Sequence, residues 1–226
     1  MRVALLLLLA SAASAQSPLD AVADALGGRD RIDALEAVVI AAQSDVTFAG
    51  QERVVRSVTT MRLPDAMRWD VRARGRTRSV VLLRNRAFSV VDGESQPLAL
   101  EAEIDAYAES WLHPLVLAAR RLEVVATTLS PRLIRVAVDD LEDDVLIGLD
   151  DEGRPDLVTT QRRRGERVDY VAVRFSDYRE HDGVWFPHRI VQTVSGSKTG
   201  TSRVDRIEVG PELAPTVFTD PIESDG

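Results

Sequence analysis

The side chains of this sequence suited to binding a metal or moving a proton near neutral pH are His113, His181 and His188, with Cys 0 in the composition. No two of these histidines stand four residues apart, the spacing at which one helix face presents a zinc-binding pair. His181 and His188 instead flank Asp182-Gly183, a hairpin-turn signal, so they are expected to face each other across a hairpin as two partly exposed imidazoles. Ser195 and Lys198 have the Ser-x-x-Lys spacing of certain acyl-transfer enzymes, which place the serine at a helix start so that the lysine one turn on reaches its hydroxyl. Here Gly196 and Gly200 bracket the pair, and the stretch reads as a hairpin loop. Neither a G-x-S-x-G elbow nor a phosphate-cradling glycine motif occurs. Asp139, Asp140, Glu142, Asp143 and Asp144 gather the carboxylates that hard cations prefer, without the central glycine and distal glutamate of an EF-hand loop, and read as a solvated acidic loop. Two arginine groups, Arg68, Arg72, Arg74, Arg76 and Arg78, then Arg162, Arg163, Arg164 and Arg167, have the chemistry to hold phosphate or carboxylate. Their first reading is the wet face and guarded edges of a sheet. The expectation is a protein without a catalytic residue, metal or cofactor.

A formal net charge of -8 argues against nucleic acid as the main partner, and 45% hydrophobic beside 5% aromatic residues is the balance of an ordinary folded domain. The first residues read as a secretory signal, with Arg2 as n-region, an apolar run over 3–10 and Ala13-Ser14-Ala15 as the small-residue cleavage site. Cleavage is expected after Ala15, leaving 16–226 as a single exported domain. That apolar run is shorter than the about 20 residues a membrane-spanning helix needs, and no later run reaches that length, so no transmembrane segment is expected in the mature chain. Without cysteine, lipid attachment and disulfides are both excluded, and stability has to come from a packed core.

The elements that position these residues follow from periodicity. Ser17, Pro18 and Asp20 open a helix whose apolar residues Leu19, Val22, Ala23 and Leu26 recur at helical spacing, and Gly27-Gly28 closes it. A short turn over 31–35 follows. The texture then becomes β, with one long strand or a bent pair expected over 38–48 and strands over 53–61, 67–73, 77–83 and 87–91. The alternation over 67–73 is clean, with Met67, Trp69, Val71 and Ala73 on one face and Arg68, Asp70 and Arg72 on the other. Over 100–122 the period changes, and Ile104, Tyr107, Trp111, Leu115, Ala119 and Leu122 make one helical stripe. Pro114 divides this helix, with His113 as cap of the second piece and a joint between the two that can flex or bend across a sheet. Seven further strands between 122 and 209, separated by turn signals, favour one antiparallel sheet or barrel, and 211–226 reads as a loose tail anchored by Phe218.

Four short stretches carry a family likeness. Asp177-Tyr178-Arg179 with Asp182-Gly183-Val184 and Phe186-Pro187 resembles a segment of the LolA/LolB-like superfamily, the lipoprotein carriers and related lipid-binding proteins of the Gram-negative envelope. Ala25-Leu26-Gly27-Gly28 with Leu35, Leu63-Pro64-Asp65 before Arg68 and Trp69, and Ile207-Glu208-Val209 followed by Phe218-Thr219-Asp220-Pro221 resemble other parts of such domains. The resemblance implies a mainly β, α+β fold: a strongly curved antiparallel sheet, an incomplete β-barrel, with helices over its concave face and a cavity for acyl chains. The alternation and the helical period then assign Phe48, Met67, Trp69, Val71, Leu82 and Phe88 to the concave face, opposite Trp111 and Leu115 of the lid. The expected partner is a lipid or the acyl chain of a lipoprotein, with an envelope protein as a further partner. The alternative is an envelope regulatory or scaffolding domain of the same fold that binds a membrane-anchored protein.

Overall fold

The computed structural model describes residues 17–219 apart from 49, 74, 85 and 140, and leaves the side chains of Phe48 and Arg164 undescribed. The expected signal segment, Arg74, Asp140 and the tail from Asp220 therefore lie outside the described residues. The chain opens with two short helices, α1 Pro18–Ala25 and α2 Arg29–Asp33. Six strands follow: β1 Ala37–Phe48, β2 Gln51–Arg62, β3 Ala66–Ala73, β4 Arg76–Leu83, β5 Arg86–Val91 and β6 Glu94–Pro97. Then come α3 Leu100–Ser110 and α4 Pro114–Ala119, and the strands β7 Val125–Ser130, β8 Leu133–Ala137, β9 Val145–Leu149, β10 Pro155–Arg164, β11 Arg167–His181, β12 Val184–Val194 and β13 Ser197–Val209. A 3-10 turn over Pro215–Phe218 ends the described chain.

The thirteen described strands form one antiparallel sheet in the order β6-β5-β4-β3-β2-β1-β13-β12-β11-β10-β9-β8-β7. It is two meanders joined where β1 pairs β13, and it stays open because β6 and β7 are free edges, an incomplete barrel. The link between those edges is the segment carrying α3 and α4, which crosses the inner face. Helices on this face are thus a consequence of connectivity. The short polar strand β6, Glu94-Ser95-Gln96-Pro97, has no apolar alternation to betray it; it is held by pairing with β5 alone.

The core lies mainly between α1, α4 and the strands from β1 round to β8. Leu19, Val22 and Leu26 of α1 and Leu117 and Ala118 of α4 are fully buried against residues such as Val136, Ile147, Val158 and Phe186. α1 has the expected start: the Ser17 hydroxyl accepts the Leu19 N–H at 3.3 Å, and the Asp20 carboxylate accepts the Ser17 N–H at 3.1 Å. Arg121, just after α4, is 5% exposed and ties three elements together. Its guanidinium donates to Asp20 at 2.9 Å and, as a fork, to Asp33 at 2.6 and 2.7 Å, holding the Asp33 carboxyl below its ordinary pKa.

Two of the stretches singled out by their likeness meet in space. The Trp185 N–H donates to the Leu26 carbonyl at 2.9 Å, and Arg31 donates to the Gly183 carbonyl at 2.9 Å. A Cβ on Gly27 would stand 2.3 Å from the Gly183 oxygen, and one on Gly183 would stand 2.0 Å from the Arg31 guanidinium. Both glycines also have positive φ, 137° and 79°, which a side chain would strain, and at Gly27 the close neighbour is backbone that cannot move aside. These motifs serve the fold.

The two pieces expected on either side of Pro114 form as α3 and α4, but the apolar residues over 100–122 do not make one buried stripe across them. Ile104 and Leu122 are 56% and 83% exposed, while Trp111 and Leu115 are buried. The reason is the break: His113 is extended, its Nδ1 accepts the Leu115 N–H at 3.3 Å, and a new helix starts out of phase with the first. The C-terminal segment packs through Thr219 on the outer face, where Phe218 joins Ala66, Val81 and Phe88, and Arg68 donates to the Val217 carbonyl at 2.9 Å.

Candidate functional site

Strand register determines which side chains share the inner face. Val46 of β1 stands beside Gly200 of β13, which stands beside Gln192 of β12, which pairs Val173 of β11. The neighbouring row runs Ser44, Ser202, Ile190, Phe175, with the Ser44 and Ser202 hydroxyls bonded at 2.7 Å. Met67 and Trp69 of β3 project over these rows from one side, and Glu109, Leu112 and His113 from the α3–α4 junction close the other. The result is a cleft of about 190 Å³ whose wall is mostly apolar. It adjoins a charged recess of about 410 Å³ at the ends of β1, β2 and β13, lined by Asp45, Glu52, Arg53 and Lys198; Val46 and Gly200 belong to both.

Of the residues expected on the concave face, Met67 and Trp69 line this cleft. Val71, two residues further along β3 and paired with Ser57 and Arg78, is 37% exposed and stands beyond it. Leu82 pairs Met67 and lines, with Tyr107 and Val116, a recess of about 20 Å³, room for one water. Phe88 is on the other side of the sheet. It pairs Val81, whereas Ala87 pairs Leu82, so the two-residue period carries Phe88 to the outer cluster with Phe218. Trp111 and Leu115 are packed inside the core, the Trp111 ring lying edge-on to Tyr107 at 6.4 Å and under the Arg120 guanidinium at 4.2 Å. The Phe48 side chain is outside the described residues. Val173, Phe175, Ile190 and Gln192 were not singled out from sequence. Their alternation marks strands, but only the β1–β13 pairing brings them to β3.

α3 is tied by polar contacts toward both of its ends. Arg162 of β10 donates to Glu109 at 2.7 Å and approaches Asp105 at 3.5 Å, and at the opposite end Glu103 accepts the Ala87 N–H at 3.0 Å. His113 is a neutral group at this junction, because burial pushes its pKa down to about 4.

The other chemical candidates resolve into structure. His181 and His188 do meet across the β11–β12 hairpin, with their Nε2 atoms 3.2 Å apart. His188 also has Nδ1 3.2 Å from the Phe186 carbonyl oxygen, so Nδ1–H donates there and Nε2 accepts from His181; burial lowers the His188 pKa. Among the described residues no group of three or more His, Cys, Asp or Glu is placed to hold a metal. Ser195 sits at a hairpin turn with φ 48°, where its hydroxyl donates to Asp169 at 3.2 Å, and Lys198 is already in β13. Of the acidic residues, Asp144 pairs with Arg135 at 3.5 Å and Asp143 with Arg163 at 3.6 Å. Arg68 is consumed by Asp70 at 2.9 Å, Ser79 at 3.0 Å and Val217.

No protein-family model and no curated protein sequence matches this chain. Solved structures do. A domain described as outer membrane lipoprotein-sorting, from Vibrio parahaemolyticus, superposes with a TM-score of 0.60 at 11% identity, covering 90% of this chain and 97% of that one. A LolA superfamily protein from Nitrosomonas europaea does so with a TM-score of 0.58 at 12% identity, covering 88% and 97%. The fold is LolA-like. Among the described residues no helix is long and apolar enough to cross a membrane.

Proposed function

We propose that the protein binds and carries, in the periplasm, a lipid or the acyl chain of a lipoprotein, without covalent catalysis. The observation that carries this reading is the mostly apolar cleft on the inner face of a LolA-like sheet, with Met67, Trp69, Phe175 and Ile190 presented to a space no core side chain fills. The naming of one structural neighbour as lipoprotein-sorting supports it. An acyl chain gains about 0.8 kcal/mol per methylene buried, so a few methylenes suffice for measurable binding without a specific polar contact. A cleft of about 190 Å³ is smaller than the roughly 300–1,000 Å³ of most ligand sites, so a full chain needs further room, from the adjoining recess or from displacement of α3.

The test is native mass spectrometry of protein purified from its own periplasm, which should show co-purified lipid and a mature chain beginning at Gln16. Uptake of an apolar fluorescent dye by the purified protein should be lost in Trp69→Asp. Retained uptake at full thermal stability would place Trp69 outside the site, and a protein free of lipid that takes up no dye would end the carrier reading.

A further inference from the structure

We infer that the cleft recognises a neutral carbonyl, the ester or amide at the head of an acyl chain, through His113 Nε2–H and the Gln192 amide in its wall, and discriminates against an ionised carboxylate. The inference rests on the acyl-binding reading and adds the chemistry of the ligand's polar end.

The donor is defined by the fold. His113 caps α4, and its Nδ1 accepts the Leu115 N–H at 3.3 Å. An imidazole that accepts at Nδ1 while neutral carries its proton on Nε2. With a pKa near 4, the ring is neutral across the physiological range. Among the described residues nothing bonds Nε2, and His113 lines the cleft together with Gln192.

The charge around the cleft decides between a carbonyl and a carboxylate. No lysine or arginine is among the residues lining it, and its one carboxylate, Glu109, is committed to Arg162 at 2.7 Å, which Asp105 also approaches at 3.5 Å. Arg53 and Lys198 line the adjoining recess and not this cleft, so an ionised head seated beside His113 would lose its hydration against a neutral imidazole, an amide and a paired carboxylate. A carbonyl oxygen has a smaller desolvation cost and needs the single donor that His113 supplies.

Three pyrene-labelled probes of one chain length separate these terms in titrations of the full mature protein: the methyl ester of dodecanoic acid, the free acid, and the methyl ether of the matching alcohol, which lacks the carbonyl. The ester should bind about 3- to 10-fold more tightly than the ether, the value of one net hydrogen bond, and the acid more weakly than either at neutral pH. His113→Asn keeps a capping side chain on α4 but withdraws the ring N–H, and should shrink the ester-to-ether gap. Gln192→Leu, which disturbs no cap, should shrink it independently and keeps the question open to a decision if His113→Asn does not fold. Equal affinities for ester and ether, or tightest binding of the ionised acid, would overturn the carbonyl inference while leaving acyl binding intact. Failure of all three probes to bind would overturn both.

Discussion

α3 and α4 lie end to end on the same inner face, yet they are held in different ways. Five of the six residues of α4, Pro114 to Ala118, are buried, and Arg121 just beyond clamps this helix to α1 and α2. α3 buries only Ala106, Ala108 and Ser110 of its eleven residues, leaves Leu100 72% exposed, and is fixed mainly by polar ties at Glu103, Asp105 and Glu109. One helix is a plug completing the core; the other is a half-exposed cover that reaches the cleft through Glu109. The difference matters because apolar burial is lost steeply on displacement, whereas partly exposed ion pairs exchange readily for water.

The largest effect should come from the plug. Leu117→Ala, at a fully buried position, should cost about 2–5 kcal/mol in denaturant unfolding, whereas Ile104→Ala on the cover should stay within about 0.5 kcal/mol. Comparable losses would erase the distinction.

The junction between the two helices provides a pH test. The unfolded chain protonates His113 near pH 6.5, while the folded chain resists until about 4. Between those values the unfolded state binds more protons, so stability should fall as pH drops from about 6.5 to 4 and His113 should contribute no slope above that window. Burial of His188 adds a slope of the same sign. Thermal unfolding of His113→Asn across this range should show a shallower dependence; an unchanged slope would mean that the ring is not buried as described.

A smaller effect is expected from the tie over the cleft. Arg162→Ala should lower global stability by about 0.5–1 kcal/mol, yet speed amide exchange in α3 selectively and accelerate release of a bound acyl probe. Exchange that rises equally in α4 would show that the two helices move as one unit.

The smallest change should follow Pro114→Ala. The bend is already set by the extended His113 and its capping bond, so stability should shift by less than about 1 kcal/mol and probe release should stay within about twofold in stopped-flow measurements. A larger rate change at unchanged stability would make the joint a hinge instead of a fixed bend.

Much of the fold was legible along the chain because its signals are local. The Ser17 cap, the strand from Met67 to Ala73, the turn at Asp182-Gly183 and the cap at His113 each depend on residues within a few positions of one another, and each forms as read. The site was legible only in part. Met67 and Trp69 reach the cleft, but Phe88 lies across the sheet because a one-residue offset in register reverses the face a side chain takes.

By itself, then, the sequence determined a chain of antiparallel strands interrupted by a broken helix, since hydrophobic period, caps and turns act over short separations. Tertiary structure alone decided that β1 closes on β13, that Phe175, Ile190 and Gln192 come to face Trp69, and that Gly27 packs on Gly183. Those contacts join residues more than a hundred positions apart. No local pattern encodes them, because they follow from pairing register and from burying one continuous apolar face under the segment that links the two sheet edges.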